Sequence, residues 1–353
     1  MIDDSFKISG RPYQEWLKDH AGSTDAFHQQ IILQIERWSS DAEVMHLKTS
    51  GSTGEPKSIA LKKDWMMHSA RATAKRLDLA QGQSALLCLP VQFIGGLMML
   101  VRAMVLGMDI YPIQPSMDPE LPAQGKFDFA AMTPPQVTSL LDRGNVLERI
   151  HCLIIGGAPV SALLESRIRE AKTSIYSTYG MTETASHIAL RALNGDERAR
   201  YFRGLPGVEF STDDQHALAI RIPFMDDTVI QTRDVVELLD AQRFIWRGRI
   251  DHVINSGGLK VHPEEIESAL AQYIPHPFII HSIPDPVLGE KVVLTIESEQ
   301  VGPLSPELRS VIQGLGAKRP REVFSIKRFP RTASGKILRL IDISGIQPID
   351  LDL

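Results

Sequence analysis

The chain has 353 residues, 43% hydrophobic and 23% charged, the make-up of an ordinary globular protein long enough for one large domain and a small one. A net charge of −5 with no Lys/Arg block removes the electrostatic case for a nucleic-acid partner. Two cysteines in apolar runs, Cys88 and Cys152, suit buried thiols, and the polar first residues have no apolar signal core, so a cytoplasmic protein is expected.

In chain order, residues 24–39 place Phe27, Ile31, Ile35 and Trp38 at helical spacing behind a Thr24 cap. "VMHLKTS" and "KSIALKK" read as strands flanking a loop rich in Gly, Ser and Thr, and Asp64 opens a further helix. The most apolar run, Phe93 to Met108, is too short for a bilayer and carries Arg102, so it reads as a buried helix without membrane insertion. "SALLCLP", "MDIYPI", "FDFAAMT", "HCLIIGG" and "SIYSTYG" alternate with helical segments, which predicts an α/β domain on a largely parallel sheet. The texture changes near residue 250. Beyond it, "HPEEIESALAQY" has Pro263 at its first helical position and Ile266, Ala269, Leu270 and Tyr273 on one face. "FIIHSIP" and "KVVLTIE" read as strands, and "SPELRSVIQGLG" as a helix capped by Ser305 and stopped by Gly316. The expected division is a large domain over 1–250 and a small α+β domain over 251–353.

The loop "TSGSTGEPKS" (49–58) raises a chemical question. Counted from Gly51, it misses the phosphate-loop pattern G-x-x-x-x-G-K-[ST] because Pro56 stands where the second glycine would be. A phosphate loop of that type leaves a strand and opens a helix, whereas this one lies between two strands, and Pro56 has no N–H to donate. Taken alone it fits a plain hairpin turn. It also fits a different polyphosphate cradle, built from the hydroxyls of Ser50, Ser52 and Thr53, backbone amides around Gly51 and Gly54, and Lys57.

Five further segments resolve the choice. "GGAPVS" (156–161), "YGMTE" (179–183), "TRD" (232–234), "WRGRIDHVINSGGLKVHPEEIE" (246–267) and "PRTASGKILR" (330–339) follow "TSGSTGEPK" in the order seen in one superfamily. The chain resembles the adenylate-forming acyl-CoA synthetases, relatives of luciferases and of peptide-synthetase adenylation domains. The resemblance covers nearly the whole chain and implies two half-reactions: a carboxylate attacks the α-phosphate of ATP to give acyl-AMP and pyrophosphate, then the thiol of CoA displaces AMP. Anion attacks anion in the first, so charge must be neutralised and reactants aligned.

Carried over by position, the resemblance gives Thr49, Ser50, Gly51, Ser52, Thr53, Gly54 and Lys57 the β- and γ-phosphates. Gly157 and Ala158 line one face of the adenine and Tyr179 the other, within a signature that includes Gly180 and Met181. Thr182 contacts the α-phosphate, and Glu183 binds Mg²⁺, a cation that prefers oxygen ligands. Asp234 accepts from the ribose hydroxyls, and Arg249 reaches ribose or phosphate. Lys336 bridges the carboxylate and the α-phosphate. A small mobile C-terminal domain turns at Asp251, and Gly257 and Gly258 face the CoA channel. The histidines lack metal-ligand spacing, so His252 and His262 are not expected to be ligands, and the tryptophans read as packing residues.

Two departures stand out. Arg233 replaces the family's usual glycine, whereas Phe93 keeps the aromatic or histidine usual at its position. The phosphate loop also begins at Thr49, much earlier than in most relatives, which implies a truncated N-terminal subdomain. That compactness, with "YGMTETASHIAL", resembles the short bacterial o-succinylbenzoate–CoA ligases of menaquinone biosynthesis. Their aromatic substrate would need an apolar slot, for which Phe93, Gly95 and Gly96 are candidates, and a polar partner for its second carboxylate, for which Thr178 and Ser186 are candidates. Another small aryl or short-chain acid–CoA ligase, a stand-alone adenylation domain loading a carrier protein, and a nucleotide-binding sensor remain alternatives. Glu183, Asp234 and Lys336 speak against the sensor.

Overall fold

The computed structural model describes residues 2–48, 58–123, 125–299, 304–331, 337–339, 341–343 and 345–349. Its larger sheet has thirteen strands. Five of them form the expected parallel block, in the spatial order Ser174–Met181, Ile150–Ile155, Phe127–Met132, Ser84–Leu87 and Asp109–Pro112. The runs of Ile, Leu, Phe and Ala in the three central strands, Ile150–Ile155, Phe127–Met132 and Ser84–Leu87, are buried on both faces, as parallel strands covered by helices must be. The sheet then continues antiparallel through Ser186–Ala192, Phe202–Gly204, Arg243–Arg249, Thr228–Asp240, Ala217–Ile222 and Glu209–Thr212. This second half is absent from the predicted elements. Register shifts between His187 and Ala189, Ala217 and Ala219, and Val235 and Val236 break the alternation by which a strand is recognised.

Helix Ile94–Leu106 is the buried helix expected from its composition, and it ends on Gly107 in the left-handed region. One cap differs from expectation. Helix Ala26–Ser39 is capped by Asp25, whose carboxylate accepts from the His28 N–H at 2.9 Å, and not by Thr24. Asp25 stands at the boundary where its side chain reaches the first-turn amides. Strands Val44–Lys48 and Ser58–Lys62 pair antiparallel on either side of the Gly/Ser/Thr loop, as predicted.

A separate five-stranded sheet is built from Ile254–Ser256, Leu259–Val261, Phe278–Asp285, Gly289–Glu297 and Glu322–Ile326. Helix Pro263–Leu270 buries Ile266 and Leu270 against it. Helix Pro306–Gly314 is capped as expected, with Ser305 accepting from the Leu308 N–H. This α+β unit has its own core around Ile254, Val261, Ile280, Leu294 and Val323. Among the described residues, no helix is long and apolar enough to cross a membrane.

Candidate active site

The signature strand Ser174–Met181 delivers Tyr179, Gly180 and Met181 to the start of a sharp reversal. Thr182–Thr184 form a single 3₁₀ turn, Ala185 and Ser186 take positive φ values of 52° and 97°, and the chain returns as the neighbouring antiparallel strand. Such strain persists only where surroundings enforce it. Here the Thr184 hydroxyl accepts from the Met181 N–H at 3.0 Å and lies 2.6 Å from the Ser186 carbonyl, stitching the turn internally. A Cβ on Gly180 would fall 2.3 Å from the Ser186 carbonyl oxygen, so only glycine allows this approach. The turn leaves Glu183 exposed and Thr182 half-buried at its tip.

The "GGAP" turn lies against the same strand. A Cβ on Gly156 would meet the Thr178 hydroxyl at 2.6 Å, and Gly157 has φ +83°. Thr178 donates to the Ile155 carbonyl at 3.1 Å, so its hydrogen is committed to joining these two segments.

Tyr179 packs edge-on to Phe244 with ring centroids 5.1 Å apart, and its hydroxyl donates to Asp234 Oδ2 at 2.7 Å. Burial first, and then the Asp234 carboxylate, push that hydroxyl's pKa well up, so it stays a donor. Asp234 is only 7% exposed. Its other oxygen, Oδ1, accepts from the indole N–H of Trp246 at 3.1 Å and lies 3.5 Å from the Arg249 guanidinium. Arg249 turns mainly to Asp251, 2.9 Å away, and Arg233 donates to the other Asp251 oxygen. Burial raises the Asp251 carboxyl, but hydrogen bonds from Arg249 and Arg233 outweigh it and hold the group below the usual carboxylate range. Thus Tyr179, Asp234, Arg249 and Asp251 form one connected cluster, which Arg233 joins. Trp246, expected as a packing residue, is a donor within it. No spacing marks that role, because a bulge at Arg247 changes which residues of the strand face Asp234.

Phe93 precedes helix Ile94–Leu106 as its cap residue, half-buried. Gly96 is required by packing, since a Cβ there would lie 2.3 Å from the Pro90 carbonyl oxygen, whereas Gly95 has room. Two turns on, Arg102 is 1% exposed. Its terminal nitrogens lie 3.3 Å from Ser186 Oγ, 3.3 Å from His187 Nδ1 and 3.9 Å from Met99 Sδ, and its Nε has no partner. No carboxylate among the described residues pairs with it. Burial pushes its pKa down to about 9. His187 stands on Thr73 at 3.1 Å through Nε2, and burial and then Arg102 push its ring well below 6.5. The ring is therefore neutral, with Nε2 carrying the proton and Nδ1 accepting from Arg102. Ser186 and His187 pair with Met181 and Gly180, so this unbalanced charge sits directly behind the signature. In the sequence Arg102 reads only as an interruption of an apolar run.

Gly257 and Gly258, at φ +58° and +83°, form the tight turn between Ile254–Ser256 and Leu259–Val261 on the smaller sheet. His252 Nδ1 pairs with Glu264 Oε1. Thr49, Ser50, Gly51, Ser52, Thr53, Gly54, Lys57 and Lys336 lie outside the described residues. Among the described residues no group of three or more His, Cys, Asp or Glu side chains could hold a metal ion.

A family model described as "AMP-binding enzyme" matches residues 10–216. The 2-succinylbenzoate–CoA ligase of Listeria monocytogenes serotype 4b is 26% identical over 337 residues, covering 86% of this chain and 70% of that protein. A crystal structure of an acyl-CoA synthetase (AMP-forming)/AMP-acid ligase II-like protein from Dyadobacter fermentans is 36% identical with a TM-score of 0.62, over 90% of this chain and 93% of that one. The o-succinylbenzoate CoA synthetase of Bacillus subtilis, solved with the acyl-adenylate intermediate, shares the fold at a TM-score of 0.70 and 22% identity, over 85% of this chain and 68% of that one. The chain belongs to the AMP-binding enzyme family. Within that family it is an AMP-forming acid–CoA ligase.

Proposed function

We propose that this ligase joins o-succinylbenzoate to CoA at the expense of ATP, releasing AMP and diphosphate through an acyl-adenylate, the ligase reaction for which its relatives are named, and that it serves menaquinone biosynthesis. The observation that carries the choice of acid is Arg102. A guanidinium withdrawn from water with no counter-ion among the described residues is costly to fold around, and a substrate carboxylate would balance it. An acid with two carboxylates can place one at the α-phosphate and the other toward Arg102. Phe93 would wall the apolar slot between them, and Ser186, which accepts from Arg102, would help hold its fork.

The nucleotide fits the residues present. Asp234 keeps lone pairs free on both oxygens for ribose hydroxyls, and Tyr179 offers a ring fixed by Phe244 and Asp234. Glu183 is a single exposed carboxylate, which suits Mg²⁺ arriving with phosphates better than a resident metal. Bound there, the cation would offset charge at the attacked phosphate. Thr182 would contact the α-phosphate. The loop 49–57 with Lys57 would hold the β- and γ-phosphates, and Gly157 and Ala158 would flank the adenine. Lys336 would neutralise charge between the acid and the α-phosphate. Domains 1–250 and 251–353 would turn about Asp251, bringing Gly257 and Gly258 to the CoA thiol arm.

The test is diphosphate release over a panel of carboxylic acids, with and without CoA. The highest kcat/KM is expected for o-succinylbenzoate, with thioester formed only when CoA is present. A clearly better benzoate, acetate or medium-chain acid would sink the substrate assignment, and transfer to a carrier protein but not CoA would sink the acceptor.

A further inference from the structure

We propose that Trp246 is a positioning residue that makes the nucleotide site selective for an intact ribose cis-diol. The proposal rests on the reading of Asp234 as the acceptor of the ribose hydroxyls. An ionised carboxylate offers about four acceptor sites, two on each oxygen. Two aromatic donors, one per oxygen, engage Asp234: the Tyr179 hydroxyl at 2.7 Å on Oδ2 and the Trp246 indole N–H at 3.1 Å on Oδ1. Arg249 lies farther off, 3.5 Å from Oδ1, and is drawn to Asp251 at 2.9 Å. The Asp234 backbone N–H donates to Thr232 Oγ1 at 3.1 Å, which fixes the residue's root as well.

The consequence is geometric. With one site on each oxygen occupied from the protein side, a free site on each oxygen remains, and the carboxylate plane cannot rotate. Two adjacent hydroxyls of one ribose can then donate to two oxygens at once. A carboxylate held at only one oxygen can swing to follow whichever single hydroxyl is present. Holding both oxygens therefore converts a general acceptor into a diol reader, because the cost of orientation is met before the nucleotide arrives. Both donors are rigid: Tyr179 is wedged against Phe202 and Phe244, and Trp246 stands on the strand paired with Asp234's own.

Equilibrium titration of AMP, 2′-deoxy-AMP and 3′-deoxy-AMP, in the full-length protein without acid or CoA, tests this apart from catalysis. Three proteins are compared: the parent, Trp246→Phe and Asp234→Asn. The parent is expected to bind AMP more tightly than either deoxy form. In Trp246→Phe, AMP should weaken by about 3- to 10-fold, as for loss of one ordinary net hydrogen bond. The penalty for at least one deoxy nucleotide should shrink by about 3-fold or more. A packing role would instead weaken all three nucleotides equally, and that outcome, or an unchanged penalty, overturns the proposal. If Asp234→Asn retains the parent's full penalty, the underlying reading of Asp234 has failed, which is a different result. Should Trp246→Phe not fold, the parent's Trp246 indole N–H resonance decides: it should shift with AMP, and a resonance indifferent to AMP overturns the proposal.

Discussion

Replacing Arg102 by Met should make the protein more stable and a worse enzyme for its own acid. Arg102 is 1% exposed and no described carboxylate pairs with it. Burial pushes its pKa from 12.5 to about 9. That difference corresponds to a cost on the order of 5 kcal/mol against the charged form, an upper bound. The folded-state pKa lies below the unfolded one, so the unfolded chain binds the proton more tightly, and the penalty is present in full at every pH below about 9. Met fills most of the side-chain volume with no charge. It also deprives His187 Nδ1 and Ser186 Oγ of a donor, which returns about 1–3 kcal/mol of the gain. A net stabilisation of about 1–3 kcal/mol is expected, or a rise in melting temperature of roughly 2–6 °C. Removing one partner of a buried charge pair costs about 2–5 kcal/mol in binding, so kcat/KM for o-succinylbenzoate should fall by about 30-fold or more. A monocarboxylic aryl acid should change by less than about 3-fold, because it has no group for Arg102 to balance. Calorimetric melting with and without acid, beside diphosphate release on both acids, reads the two effects together. A variant that melts lower and keeps its preference for the dicarboxylate refutes the reasoning, since Arg102 would then be a structural residue paired in a way the buried geometry does not show.

The contrast between Arg102 and the signature shows what a sequence pattern can carry. Tyr179, Gly180 and Thr182 are neighbours in the chain, and the constraint that makes Gly180 obligatory, the Ser186 carbonyl, lies only six residues away. The parallel block, and strands Phe278–Asp285 and Gly289–Glu297 of the smaller sheet, are legible because each is a short, largely apolar run, whereas the three- and five-residue strands Ile254–Ser256, Leu259–Val261 and Glu322–Ile326 carry too little pattern to be read. Ser305 is readable as a cap because its partner is three residues on, while a cap at Thr24 falls one residue short of Asp25 because cap signals fix a boundary only to within a residue or two. Arg102 is different. What makes it exceptional is that no acid among the described residues pairs with it, and its described partners include Ser186 and His187, more than eighty residues downstream. Trp246 is hidden by the bulge that turns its indole to Asp234, and the antiparallel half of the large sheet by bulges of the same kind. The Tyr179–Thr184 turn is therefore readable from a local motif, and the surroundings of Arg102 and Asp234 only from tertiary contact.

Lys336→Ala should slow acyl-adenylate formation by about 10²–10³, the usual cost of one preorganised charge, and leave thioester formation from synthetic acyl-AMP much less affected. Single-turnover assays of each half separate the two, and adenylation at the parent rate would show that the lysine is misassigned. Burial pushes both Cys88 and Cys152 thiols up to about 12, so neither should react with a disulfide reagent at pH 8 until the protein is unfolded in guanidinium. A thiol that titrates within minutes in the folded protein contradicts that burial. The last prediction concerns Gly248, next to last in strand Arg243–Arg249 of the large sheet and close against Glu264 of the smaller unit. Its φ is +147°, and a Cβ there would lie 2.6 Å from Glu264 Oε2 at the start of helix Pro263–Leu270. Glu264 cannot simply swing aside: its other oxygen pairs with His252, the Arg339 guanidinium is 3.6 Å away, and the side chain is 8% exposed. Gly248→Ala should therefore cost about 1–3 kcal/mol from backbone strain, with a further part from displacing Glu264. Only the second part depends on the carboxylate. In a double-mutant cycle with Glu264→Ala, measured by urea unfolding, the two changes should couple by about 1 kcal/mol or more, with the double variant less destabilised than the singles added together. Strict additivity would mean that Gly248 is held to glycine by its backbone alone, and that Glu264 does not press helix Pro263–Leu270 onto the strand carrying Arg249 and Trp246.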